Sequence, residues 1–543
     1  MRATAERSGW TLSATLLALL AAAPVVAVVV SSFDPRWEIW RHLAETQLLR
    51  LSWNTLRLLI GVLLGAGVLG VGLGWLIAVH RFPGRRFFEW ALVLPMAVPA
   101  YVVGFVLVGT FDVAGPVQTW LRAVFGARAH LPDIRSWGGV VLAMSLVFFP
   151  YVYLLARLAF AERGVQLIEA ARSLGQSPRA AFWRLALPLA RPAIAAGLAL
   201  VAMETLGDFG TVAVFGYDAF TTAVYRVWFG MFDRTAAGQI ALLLMTFAAL
   251  LVVCERLARG RARFSVADAV RARPIQLTGA RAWLATLCCS AVLGAAFVLP
   301  AGVLAAWSLR ALRAGSQIDA FLALLRNSLT VSLGAALLAV SAAMLLAYGG
   351  RLTETRRFRA LRWAALLGYA APGSVIAVGV LLLLAQTERG LAAALQRWFG
   401  ITPGLLVIGS LAGLLFAYLV RFLAVAYYPV HTGLNRIPDA FDEAARALGA
   451  GNTRVLREVH APLLRTSLLT GAVLVVVEVM KEMPMTMLIR PFGFDTLAVD
   501  IWQRTTEAMW VEAALPALSI LLVGAILVAA LTRLQRPRGG VHA

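Results

Sequence analysis

The sequence predicts an all-α, polytopic membrane protein of about 12 transmembrane helices, folded as two parallel repeats of six. Three observations predict it: an apolar excess, a series of span-length hydrophobic runs, and an internal duplication. Hydrophobic residues make up 60% of the 543 and charged residues only 14%, against roughly 45–50% and 25% in a soluble domain. That excess cannot be buried behind one water-exposed surface, so the chain belongs in a bilayer.

Crossing a hydrocarbon core takes about 20 residues of helix. Runs of that kind fall at Leu12–Val30, Leu56–Val79, Leu92–Thr110, Gly138–Leu155, Pro192–Phe215 and Ile240–Cys254. Six more follow at Leu284–Leu309, Leu329–Tyr348, Ala364–Ala385, Leu405–Val425, Leu463–Ile489 and Ala513–Leu531. Arg2 and Arg7 ahead of the first run are also the layout of a signal peptide, but the run has full span length and no convincing exit site, which favours a span. The basic residues set the orientation, because Lys and Arg beside spans resist translocation. With both termini in the cytoplasm, roughly 32 of the 49 basic residues fall inside the cell, Arg421 and Arg465 near span ends being counted there, and Arg57 and Lys481 fall within spans. The basic stretch Arg256–Arg281 separates the halves, giving a first repeat at 1–260, a linker at 261–281 and a second repeat at 282–543.

The net charge of +21 would suggest nucleic acid in a soluble protein, but here the arginines sit in short connections and no aromatic platform accompanies them, so no nucleic-acid partner is expected. Cys254, Cys288 and Cys289 lack zinc or redox spacing and read as packed thiols. The six histidines are scattered, no hydrolytic or metal motif is present, and no cofactor is expected. A phosphate-binding loop needs a Gly-Lys-Ser/Thr ending, yet Lys481 is the sole lysine and Glu482 follows it. Any ATP must be hydrolysed by another chain.

The duplication is explicit. Asn54-Thr55-Leu56 returns as Asn327-Ser328-Leu329, and Pro99 as Pro372, both 273 positions on. Glu169-Ala170-Ala171-Arg172-Ser173-Leu174-Gly175 returns as Glu443-Ala444-Ala445-Arg446-Ala447-Leu448-Gly449 after 274, and each Gly is followed 13 residues later by a Pro, Pro188 or Pro462. Six spans return the chain to its starting side, so the repeat is parallel and both motifs face the cytoplasm. Each reads as helix, turn, helix. Leu167, Ala170, Ala171 and Leu174 share one face, as do Phe441, Ala444, Ala445 and Leu448. Gly175 suits a left-handed helix end, with Ser177 and Pro178 starting the next helix.

Charges also lie inside spans. Glu204 and Asp208 in the fifth match Glu478 and Glu482 in the eleventh, each 274 apart, with Lys481 beside the second pair. The spacing of four puts both carboxylates of a pair on one helix face, and a charge at mid-bilayer costs about 2.5–3.5 kcal/mol, so such residues usually face a bundle interior or a wet path. Two readings stay open: hard oxygen donors along a cation route, with no firm metal site, or side chains that pair with Lys481 and nearby arginines or cap helix breaks at Gly207, Gly210 and Pro484. Met480, Met483, Met485 and Met487 read as flexible packing.

At the repeated Glu-Ala-Ala…Gly…Pro motifs the chain resembles the inner-membrane permeases of ABC importers. The stretches Met203–Gly210, Val479–Pro484 and Glu512–Leu518 are similar to those of the fused permeases of ferric-iron importers, over nearly the whole chain. The resemblance implies the type I importer fold, a bacterial inner-membrane location, a cytoplasmic ATPase in two copies and a periplasmic solute-binding protein. It also implies that Glu169 and Glu443 contact the ATPase while Gly175 and Gly449 permit the bend. Related permeases carry thiamine, aminoalkylphosphonates or polyamines. The outer connections Trp120–Arg135, Gly216–Gln239, Gln386–Thr402 and Pro491–Trp510 are the expected docking surface for the binding protein. A secondary transporter using the carboxylates for protons would leave the duplicated motif unexplained.

Overall fold

A computed structural model describes residues 2–31, 33, 37–173, 175–230, 234–259, 274–315, 318–353, 355–402 and 404–534. Helices dominate it throughout, as the apolar runs require, since a spanning segment must satisfy its own backbone polar groups. In the first repeat they are α1 (Arg2–Ser31), α2 (Trp37–Thr46), α3 (Leu48–Val79), α4 (Arg85–Ala91), α5 (Ala100–Phe111), α6 (Pro116–Phe125), α7 (Trp137–Ser173), α8 (Pro178–Ala181), α9 (Leu187–Gly207), α10 (Gly210–Val214), α11 (Phe220–Tyr225) and α12 (Arg234–Arg259). The second repeat holds α13 (Gly279–Leu293), α14 (Leu299–Arg313), α15 (Ile318–Leu352), α16 (Arg356–Leu366), α17 (Gly373–Phe399), α18 (Leu411–Leu434), α19 (Asp439–Ala447), α20 (Asn452–Val455), α21 (Ala461–Leu463), α22 (Arg465–Lys481), α23 (Pro484–Ile489), α24 (Leu497–Thr506) and α25 (Trp510–Leu534).

Among the described residues 10 helices are long and apolar enough to cross a membrane, or 11 when Asn452–Leu463 and Arg465–Lys481, bent by 76°, count as one. The expected sixth span, Ile240–Cys254, falls on α12, where the apolar stretch Ala236–Phe247 is short. Other boundaries differ from expectation for identifiable reasons. The third and ninth spans start at Ala100 and Gly373 rather than Leu92 and Ala364, because Pro99 and Pro372, both extended, each cap a new helix after a 3-10 turn (Leu94–Ala97 and Leu367–Tyr369). The tenth begins at Leu411 rather than Leu405, where the Ser410 hydroxyl accepts from the Gly413 N–H. The fifth and eleventh runs are each broken, after Gly207 and after Lys481. The connections expected on the outer face are partly helical, since α6 covers part of Trp120–Arg135 and α17 runs through Gln386 to Phe399.

Three π-helical turns, Phe182–Ala186, Gly294–Val298 and Leu456–His460, each end two residues before a proline: Pro188, Pro300 and Pro462. Proline has no N–H and crowds the carbonyl four residues back. The residue before each one bonds to the carbonyl five back instead, from Leu187 to Phe182, Leu299 to Gly294 and Ala461 to Leu456. The fixed Gly-to-Pro spacing is therefore a fixed place for a widened turn at the foot of a span.

The repeated Asn-Thr/Ser pair is structural. Asn54 Nδ2 donates to the Asp218 carbonyl at 3.0 Å, and Asn327 Nδ2 to the Asp495 carbonyl at 3.0 Å. The Thr55 and Ser328 hydroxyls accept from Phe220 N and Leu497 N, the first residues of α11 and α24. Both copies thus hold the loop before the last span in the same way.

The repeats exchange their first spans. A Cβ at Gly379 of α17 would lie 2.3 Å from the Pro24 carbonyl oxygen, and one at Gly349 of α15 only 2.6 Å from Ala14 Cβ, so α1 of the first repeat packs directly on the second. In return α14 packs on α5, where Phe105 lies between Trp307 and Trp510 with ring centroids 6.4 and 6.3 Å away. Two mixed hydrophobic cores result. Cys288 and Cys289 are free thiols. Of the expected linker, residues 261–273 lie outside the described residues; Ile275–Gln276 then pairs in parallel with His80–Arg81 at the end of α3.

Candidate functional site

The two broken helices meet between the repeats. α9 stops at Gly207, and Asp208 takes an extended conformation (φ −83°, ψ 105°) before α10 begins. α22 stops at Lys481, and Glu482 does the same (φ −76°, ψ 109°) before α23. Each carboxylate satisfies free donors of the short helix that follows. Asp208 accepts from Thr211 N at 2.8 Å and from Thr211 Oγ1 at 2.5 Å, and Glu482 Oε1 accepts from Met485 N at 2.9 Å. The spacing of four therefore does not place each pair on one continuous helix: Glu204 and Glu478 sit on α9 and α22, while Asp208 and Glu482 sit in the breaks.

All four nonetheless line one cavity of about 90 Å³ at the repeat interface, together with Lys481 and Arg421. Lys481 Nζ lies 2.8 Å from Glu478 Oε1, and Arg421 Nε lies 3.2 Å from Glu482 Oε2. Glu204 Oε1 accepts from the Tyr369 hydroxyl at 3.3 Å. Cation pairing and helix capping, one of the two open readings, are thus both present, yet they coexist with exposure to the cavity. Four carboxylates face two cations there, an excess of two acidic groups. Among the described residues no three His, Cys, Asp or Glu side chains converge as metal ligands.

Arg421 was not expected inside a span. It lies near the end of the apolar run Leu405–Val425, where a single basic residue reads as a topology signal, but α18 runs on to Leu434 and places it mid-helix with its side chain 15% exposed. Tyr101, Tyr151 and Tyr369 also line the cavity, and nothing in their spacing marks them in sequence.

Following the chain from Asp208, a cluster of packed aromatic rings lies next to the cavity. The Phe209 ring is 3.7 Å from Tyr225 and 5.0 Å from Trp502, and Tyr225 donates to the Pro484 carbonyl of the other repeat. Phe209 matches Met483 at 274 residues, and Tyr225 matches Trp502 at the 277 that relates Phe220 to Leu497. All four are buried.

The repeated motif forms two short arms. In the second, α19 ends in the expected left-handed glycine: Gly449 has φ 80°, Gly449 N donates to the Arg446 carbonyl, and Ala450 N to that of Ala445, the paired bonds of a Schellman end. The first arm ends likewise at Gly175, φ 72°, with Gln176 N bonding to the Ala171 carbonyl, and Ser177 Oγ accepts from Ala180 N. The face of α19 predicted to be apolar points outward. Phe441 is 49% and Leu448 85% exposed, Glu443 and Ala444 are exposed, and Ala445 is half-buried, while the acidic Asp442 is the buried residue. In the first arm Ala171 is buried, but the side chains of Leu167, Glu169 and Ala170, and all of Leu174, lie outside the described residues. Pro188 and Pro462 stand at the feet of α9 and of the bent pair leading to α22.

Comparison with known proteins agrees with this architecture. The ferric-iron transport system permease FbpB 2 of Haemophilus influenzae is 27% identical over 87% of this chain and 87% of its own length. The sulfate transport permease CysT of Escherichia coli is 29% identical over 44% of this chain and 87% of its own length, and the molybdenum transport permease ModB of the same organism 31% identical over 34% and 72%. The model of the binding-protein-dependent transport system inner membrane component matches twice, at residues 70–257 and 339–539. The chain therefore belongs to that family of multi-pass inner-membrane permeases and carries its domain in tandem.

Proposed function

We propose that this permease imports ferric iron by alternating access, driven by two copies of a separate ATPase seated on the Glu169 and Glu443 arms and supplied by a periplasmic binding protein. The carboxylate excess in the cavity carries the cation reading. With Lys481 and Arg421 each already paired, the remaining field is negative, which lowers the barrier for a multivalent cation and raises it for an oxyanion such as sulfate or molybdate. The whole-length likeness to an Fe(3+) permease supports the same solute, whereas the sulfate and molybdenum relatives align with only one half or less of the chain. The plug of Phe209, Met483, Tyr225 and Trp502 closes the route on the outer side, and ATP-driven rocking of the repeats parts it.

The test neutralises the carboxylates that hold no cation. Glu204→Gln with Asp208→Asn keeps the shape of both and leaves Lys481 and Arg421 paired. Ferric uptake falls at least about tenfold while the melting temperature of the purified protein stays within a few degrees of the parent. Unchanged uptake in a stable double variant excludes the route at these positions.

The orientation, with both termini and both arms in the cytoplasm, has its own check. A cysteine replacing the fully exposed Phe492 reacts with an impermeant maleimide added outside intact cells. A cysteine replacing the exposed Arg357 does not. The opposite labelling reverses the topology and puts the arms on the wrong side. The expected cytoplasmic stretch Arg261–Arg273 lies outside the described residues.

A further inference from the structure

The two arms join their spans in different ways. In the first repeat α7 runs unbroken from Trp137 to Ser173, so span and arm are one rod. In the second, α18 ends at Leu434 and α19 starts at Asp439, with Pro438 extended between them (φ −58°, ψ 146°). A nine-residue helix on a short turn has no rigid link of its own to the membrane part.

A buried polar cluster spans that break. Arg351, at the end of α15, donates to the Leu434 carbonyl at 2.8 Å and to the Ile437 carbonyl at 3.0 Å, on either side of the interruption. It also pairs with Asp439 at 3.0 Å and with Asp442 Oδ2 at 2.7 Å. The other oxygen of Asp442 lies 2.5 Å from His460 Nε2, in the π-helical turn at the foot of the bent pair that leads to α22. Asp442 is 5% exposed and His460 fully buried. One carboxylate thus joins the arm to α15 and to the helices carrying Glu478 and Lys481.

None of these polar residues recurs at the matching positions of the first repeat. Gly164 stands where Pro438 does, Ile168 where Asp442 does and Ala186 where His460 does, all 274 residues earlier, and Ala78 stands 273 before Arg351. Ala78, Ala171, Ala181 and Ala186 pack there as a small apolar core. The polar residues of the cluster occur in the repeat whose span and arm are interrupted, and apolar residues or glycine stand at the matching positions where they are continuous.

We propose that Asp442, through Arg351 and His460, is a positioning residue that replaces helix continuity in the second repeat, so that force on the Glu443 arm reaches α15 and α22 together. The inference rests on the reading of the arms as ATPase contacts. Breaking the cluster leaves the ATPase bound but its work poorly transmitted.

The experiment follows the cavity directly and does not depend on the identity of the solute. In a chain whose Cys254, Cys288 and Cys289 are serine, Met203→Cys places a thiol on the cavity wall. The permease, co-purified with its ATPase and reconstituted into liposomes, is labelled with an impermeant maleimide with and without ATP plus vanadate, and ATP hydrolysis is measured in the same samples. The parent shows a nucleotide-dependent change in labelling. Asp442→Asn, which is isosteric, and His460→Ala, which copies the first repeat, lose at least about four-fifths of that change per ATP hydrolysed, and Pro438→Ala in the Asp442→Asn background restores part of it by favouring a continuous helix. A merely structural role would lower the yield of complex and leave labelling per ATP unaltered. That outcome, or a full labelling change in both variants, overturns the proposal. Glu169→Ala with Glu443→Ala in parallel separates the two levels: if the double variant leaves ATPase binding intact, the reading of the arms fails, and if it removes binding while Asp442→Asn behaves as the parent, only the cluster's role fails.

Discussion

Replacing Glu169 and Glu443 together by alanine abolishes ATP-dependent uptake and strips most of the ATPase from the purified permease, while each single replacement retains partial assembly. The expected size follows from the exposed arm of the second repeat. On α19 the apolar Phe441 and Leu448 stand in solvent around Glu443, and the acidic Asp442 faces inward, the reverse of a helix made to rest on its own protein. An anchor of this kind costs about 1–4 kcal/mol when truncated, so two lost anchors weaken the complex by about a thousandfold or more at the middle of that range. Co-purification yield and uptake in vesicles, measured on the same membranes, check it. Normal assembly in the double variant would remove the ATPase from these arms.

Arg421→Met lowers the stability of the permease by about 3–5 kcal/mol, because it leaves the Glu482 carboxylate buried without its cation. Glu482 is 6% exposed and its remaining partner at Oε1 is the Met485 N–H. Adding Glu482→Gln restores most of the loss, since an amide oxygen still accepts from Met485 N and no buried charge is left unpaired. Thermal unfolding in detergent reads both variants. A stable Arg421→Met protein would mean that Glu482 is hydrated or protonated, and the charge balance of the cavity would have to be redrawn. Glu204→Gln, by contrast, orphans no cation, which is why the neutral substitutions that test the route spare Glu478 and Glu482.

The duplication, the glycine-ended arms and the matched carboxylates were legible because each is a local signal. A left-handed glycine, a cap and a 274-residue offset are written within a few positions of the residues they govern. What stayed hidden depends on partners far away in the chain. Apolar runs carry no record of which run they pack on, so the exchange of α1 and α14 between repeats could not be read. Arg421 looked like a boundary charge, because only its distance to Glu482 shows that it is an internal one. Asp442 sits beside Glu443 in an acidic pair, and nothing in that pair marks one of the two for burial. The breaks after Gly207 and Lys481 were half visible: Pro484 marks the second, whereas a glycine inside an apolar run does not by itself end a helix.

The account stands most directly on what the assembled transporter moves. Permease, ATPase and binding protein in liposomes, supplied with ATP, are offered radioactive ferric citrate, sulfate or molybdate in separate samples. Accumulation of iron that requires ATP, disappears in Glu169→Ala/Glu443→Ala and falls at least about tenfold in Glu204→Gln/Asp208→Asn is the predicted result. ATP-dependent accumulation of sulfate or molybdate with no movement of iron would contradict it.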